Sequence, residues 1–146
     1  MARDETTPMP TGYFRIEVVW YLIEKGPNLG LLRSAGLVLK VNELSQEDEH
    51  TLRGLLQWFN RNLTVPKKLH RVAAIFWFKP PIAGATELWT KLMETAKLLQ
   101  KYHYQVEIAG TTRPGKIVYE DAVQIAAVPF NDTFEVGSLT TNRLSN

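Results

Sequence analysis

The sequence predicts an α+β domain in the order β-β-α-β-α-β-β, a mixed sheet with two helices packed mainly on one face. Three observations carry this reading. Apolar residues alternate from Tyr13 to Glu24 and again from Gly36 to Glu43, the period of a strand. Two later segments place apolar residues at helical spacing. A chain of 146 residues, 45% hydrophobic and 22% charged, has the size and composition of one ordinary globular domain.

In the first element Phe14, Ile16, Val18, Trp20 and Leu22 alternate with Arg15, Glu17, Val19, Tyr21 and Ile23. The second set begins charged and ends apolar. One face is therefore expected to start in water and the strand to end covered on both faces. Gly26-Pro27-Asn28 and Gly30 break the pattern, and Leu29, Leu31 and Leu32 fall in the connection. Gly36–Glu43 is read as the antiparallel partner of the first strand, with Leu37, Leu39 and Val41 on one face.

Ser45 can cap a helix whose first turn carries Glu47, Asp48 and Glu49. Leu52, Leu55, Leu56 and Phe59 form its stripe, and Pro66 forbids continuation. Arg71 to Phe78 is apolar on both faces, which suits a central strand. A second helix is expected from about Ala85 to His103, burying Leu88, Trp89, Leu92, Ala96 and Leu99. Gln105–Gly110 is a short strand, Arg113-Pro114-Gly115-Lys116 a turn, and Lys116–Val128 a strand interrupted at Glu120 and Asp121. Helical crossovers should join parallel strands, with antiparallel hairpins at each end. The domain is set at 13–130, with a flexible leader at 1–12 and a flexible tail at 131–146.

The absence of Cys excludes disulfides, thiolate zinc and a Cys nucleophile. His50, His70 and His103 have no metal-ligand spacing, so neither a metal nor a cofactor is expected. No serine sits in a nucleophile elbow and no glycine run cradles phosphate. No catalytic residue is assigned. The start, with Arg3, Asp4 and Glu5, does not read as a secretory signal, and no segment is long and apolar enough to span a membrane. A soluble cytoplasmic protein is expected. Net charge is only +2, which argues against nucleic acid. The basic stretch Lys67, Lys68, His70 and Arg71 reads first as a solvated loop.

Two surface sites stand out. Ligands collect beyond the carboxyl ends of parallel strands. There Trp77 and Lys79 would meet Arg113, delivered by the next strand, and could hold an anion; ordinary loop charges are the plainer reading. Tyr119, Glu120, Asp121 and Gln124 form a possible polar cluster, or simply a turn. The aromatics Trp58, Phe59, Trp89, Tyr102 and Tyr104 suit a core more than base stacking.

Three stretches resemble a group of small bacterial proteins of unassigned function. They are Trp58-Phe59-Asn60 with Leu63 and Pro66, Trp77-Phe78-Lys79, and Arg113-Pro114-Gly115 with Val118-Tyr119-Glu120-Asp121 and Gln124. The resemblance implies a bacterial-type intracellular protein and brings no activity with it. A non-catalytic interaction or regulatory module, acting through a protein partner or as a homo-oligomer, is the first expectation. It rests on a second sheet face, around Trp77, that two helices leave uncovered. A small-molecule or anion-binding domain, possibly an enzyme, is the alternative.

Overall fold

The computed structural model describes residues 12–19, 28–69, 73–79, 87–130 and 139–143. The alternating run forms β1 (Tyr13–Val18), with Phe14, Ile16 and Val18 buried, as period two requires of a strand on a core. Its expected continuation beyond Val19 lies outside the described residues. Arg15 and Glu17 are not on a watery face: their side chains are 17% and 12% exposed. β2 is the dipeptide Leu29–Gly30, antiparallel to β1.

The expected strand at Gly36–Glu43 is instead helical: α1 spans Leu31–Val41. Leu31, Ser34, Ala35 and Val38 are buried, at i, i+3, i+4 and i+7. The competing alternation was incidental, since Val41 is 48% exposed. Leu31 and Leu32, read as connection, are the first turn that sets the helical phase. Asn42 ends α1 in the left-handed region at φ 60°.

α2 (Gln46–Asn62) and α3 (Glu87–Lys101) follow their patterns. The Asp48 N–H donates to the Ser45 hydroxyl, the expected cap. Leu52, Leu55 and Phe59 of α2 and Leu88, Leu92, Ala96 and Leu99 of α3 are buried. With the buried residues of α1 they form one core against Phe14, Ile16 and Val18 of β1. The helices thus share one sheet face as expected, though three do so rather than two.

The remaining strands are β3 (Ile75–Phe78), β4 (Val106–Thr111), β5 (Lys116–Glu120), β6 (Gln124–Val128) and β7 (Leu139–Arg143). Their order is β5-β6-β3-β1-β4-β7, with β2 also beside β1. Every pairing among the described residues is antiparallel, so the sheet is not mixed. β3 and β4 do run the same way, because both are antiparallel to β1, but β1 lies between them. Their crossover through α3 leaves room for one strand, and β1 fills it. β7 falls within the segment read as a tail. Leu-Thr-Thr-Asn-Arg has no apolar alternation, and it joins the sheet by backbone pairing to β4 over five residues.

Candidate ligand-binding cleft

Strand β1 changes partner along one edge. β4 holds its other edge from Tyr13 to Val18. On this edge β3 pairs at Phe14, opposite Phe78, while β2 pairs at Glu17 and Val18. Between them, at Arg15 and Ile16, no strand pairs with this edge of β1 among the described residues. β3 remains in register with β6 along its whole length, Phe78 to Ile75, and so parts from β1 there.

A cavity of about 300 Å³ opens at this split. Its walls are mainly apolar: Ile16 from β1, Phe76 and Phe78 from β3, Phe59 and Leu63 from α2, Leu92 from α3, and Leu31 and Leu32 from α1. Four polar residues are among its lining, Arg15, Arg33, Asn60 and Gln124. No acidic residue lines it among the described residues.

Arg15 is the unusual member. Burial pushes its guanidinium below the usual value, and the Glu17 carboxylate beside it pulls the other way. The group stays charged, as arginine does in proteins. Its Nε lies 3.1 Å from Glu17 Oε2, although the N–H is not aimed well enough at that oxygen for a hydrogen bond. Glu17 in turn accepts from Asn28 Nδ2 at 3.3 Å. The guanidinium carbon lies 5.8 Å from the centre of the Trp77 ring, a cation–π distance. Its Nη2 end points towards Gly30, where an added Cβ would stand 3.1 Å from it. Gly30 also lines the cavity and is the N-cap residue of α1.

That helix start is itself positive. No side chain caps α1 and no acidic residue occupies its first turn, which carries Arg33 instead. First-turn N–H groups have no intrahelical acceptor, and the helix dipole puts its positive end there. Arg15, Arg33 and the start of α1 therefore set a positive potential in a mostly apolar cleft.

The residues singled out from sequence have other places. Trp77 is only 1% exposed and packs with Ile125, Ala127, Tyr13 and Ile75 in a second small core, on the face away from the helices. Lys79 pairs with the Glu120 carboxylate, and its N–H donates to the Val123 carbonyl. The Arg113 guanidinium lies 4.9 Å from the centre of the Phe130 ring. Neither Lys79 nor Arg113 lines the cleft, and among the described residues no neighbouring strands are parallel, so no crevice between such strands brings them together. Of the basic stretch, Lys67 is in a 3₁₀ turn (Lys67–Leu69), and His70 and Arg71 lie outside the described residues.

Of the four residues of the polar cluster, Tyr119, Asp121 and Gln124 meet in a turn between β5 and β6, while Glu120 pairs with Lys79. The Asp121 Oδ1 accepts from the Val123 and Gln124 N–H groups at 2.9 and 3.0 Å. Its Oδ2 accepts from the Tyr119 hydroxyl at 2.7 Å. Gln124, 3% exposed, donates through Nε2 to the Thr64 carbonyl at 2.8 Å and so ties β6 to the chain after α2. Gln124 is the one predicted site residue that reaches the cleft. Arg15, Gly30 and Arg33 were missed. An arginine amid the apolar alternation of β1, and a helix start lacking acid, were the available signals.

A further network clamps α2 to α3. Asp48 Oδ2 accepts from Lys101 Nζ at 2.8 Å and from the Tyr102 hydroxyl at 2.5 Å. The Tyr102 oxygen accepts from the Ser45 N–H at 3.0 Å. Lys101 first and Tyr102 second hold the Asp48 carboxyl below its ordinary value. Burial raises the Asp121 carboxyl, but the bonds from Val123, Tyr119 and Gln124 outweigh it and the group sits low. Depressed carboxyls stabilise the fold above their unfolded value, about 4, and that stability is lost as pH falls through it to the folded value. The urea midpoint should therefore fall between pH 5 and pH 3. Asp48→Asn and Asp121→Asn, which keep an acceptor but do not titrate, should each lower the midpoint at pH 6 and flatten that fall. A wild-type midpoint unchanged at pH 3 would contradict both assignments.

No helix among the described residues is long and apolar enough to cross a membrane, and no group of three or more His, Asp or Glu there could hold a metal ion. No family model matches the chain, and neither a curated protein nor a solved structure is detectably similar to it.

Proposed function

We propose that the protein is a non-catalytic small-molecule-binding domain whose site is the cleft between β1 and β3. The observation that carries this reading is the split itself. Breaking a sheet forgoes backbone pairing and side-chain packing, and here the gap is a cavity with apolar walls and a few converging polar groups, the usual make-up of a ligand site. At about 300 Å³ it is at the small end of such sites, which run from about 300 to 1,000 Å³. The polar groups offer donors and positive charge but no pair of a nucleophile and a base, so binding fits better than turnover. Association through an uncovered face around Trp77 loses its main support, because that ring is buried.

The test is a titration of the labelled protein with 1-octanol, followed by amide chemical shifts. Saturable shifts confined to Ile16, Gly30, Phe76, Phe78 and their neighbours are expected. No saturable shift, or a shifted patch centred on Lys79 and Arg113 instead, would remove the reading.

A further inference from the structure

We infer that the cleft takes a small amphipathic monocarboxylate, bound with its carboxylate against Arg15 and the start of α1 and its apolar body among the phenylalanines. The inference rests on the binding role of the cleft and specifies what fills it.

The argument begins with the two edges of one guanidinium. The Nε edge of Arg15 faces Glu17, its acidic neighbour among the described residues. The Nη2 end is turned to Gly30, on the lining of the cavity. A guanidinium has five N–H donors in a planar fork, and its Nη edge suits a carboxylate bidentately. Among the described residues Glu17 balances the buried charge of Arg15. An added anion is offset by Arg33, an exposed residue of the same lining, and by the positive start of α1.

Gly30 keeps this approach open. Its backbone is ordinary, at φ −59°, so glycine is not required for conformation. What a side chain would do is crowd Nη2 at 3.1 Å, where the carboxylate would sit. Size then limits the ligand. At the roughly 30 Å³ that one water takes in the liquid, the cavity holds about ten non-hydrogen atoms. Aromatic and aliphatic walls place no polar demand on the far end of the ligand. Octanoate and phenylacetate have this size and polarity. A phosphate or a dicarboxylate would bury two negative charges, more than Arg33 and the helix start balance once Arg15 is set against Glu17.

Calorimetric titration with octanoate, 1-octanol and octylamine tests it, on the wild type and two variants. Octanoate should bind at least about tenfold more tightly than octanol, the worth of a charged hydrogen bond, and octylamine more weakly than either. Arg15→Met should remove that preference while leaving octanol affinity within about threefold. Gly30→Ala should weaken octanoate selectively without unfolding the chain. If Arg15→Met fails to fold, the wild-type preference and the Gly30→Ala result decide alone. Equal affinity for octanoate and octanol would overturn the carboxylate inference and leave the cleft reading standing. Binding of none of the three would remove both.

Discussion

Gly115→Ala is expected to cost about 3 kcal/mol of unfolding free energy, read as a lower urea midpoint with an unchanged slope. Gly115 lies in the turn into β5 at φ 123°, a region that side chains rarely enter. A Cβ there would also collide with the Val128 carbonyl oxygen and stand 2.8 Å from Pro129 Cα. These are backbone atoms, so no rotamer change relieves the clash. The chain has to move Gly115 or unzip the first rung of β5 on β6, Lys116 opposite Val128. Strain of about 1–3 kcal/mol and overpacking of similar size act together. A variant within about 0.5 kcal/mol of wild type would mean that the turn is not held in this conformation.

That turn was legible in the sequence, because Pro-Gly states a local conformation. The caps and stripe of α2 were legible for the same reason. Ser45 and Glu47 to Glu49 act on backbone groups within one turn, and Leu52, Leu55 and Phe59 report a local period. The misreading of α1 shows where local reasoning stops. Leu37, Leu39 and Val41 alternate, while Leu31, Ala35 and Val38 repeat at helical spacing, and both patterns occupy one stretch. Packing against Phe14 and Leu52 in the core decides between them, and that is tertiary information. Strand order was hidden in the same way. Nothing near β3 or β4 says that β1 lies between them. β7 pairs through backbone that any sequence possesses. The candidate cleft was largely invisible because it arises where β1 exchanges β3 for β2, a property of three distant segments. Gln124 stood out only beside Tyr119, Glu120 and Asp121, as part of a polar cluster or a turn. Arg15 was passed over because a charged residue in an alternating strand is normally a solvated one.

Trp77→Ala should be the more damaging change, costing about 3–5 kcal/mol by urea unfolding followed by circular dichroism. The ring is among the largest fully buried side chains, and it anchors a core of few residues, Ile125 and Ala127 with Tyr13 and Ile75 against them. So small a cluster has little to collapse into the space left, which puts the loss at the upper end for aromatic truncation. The same ring lies below the Arg15 guanidinium, so its removal also strips that charge of its π face. A double-mutant cycle of Trp77→Leu with Arg15→Met separates the two effects. Contact of ring and cation predicts a coupling of about 0.5–1 kcal/mol, whereas sites that merely share a sheet face would add within about 0.3–0.5 kcal/mol. If the pair couples, Trp77 has a second role: it is the floor that holds Arg15 turned towards the cleft. Trp77→Leu should then weaken octanoate binding while sparing octanol. A Trp77→Leu variant that binds both as the wild type does would leave the tryptophan as packing and nothing more.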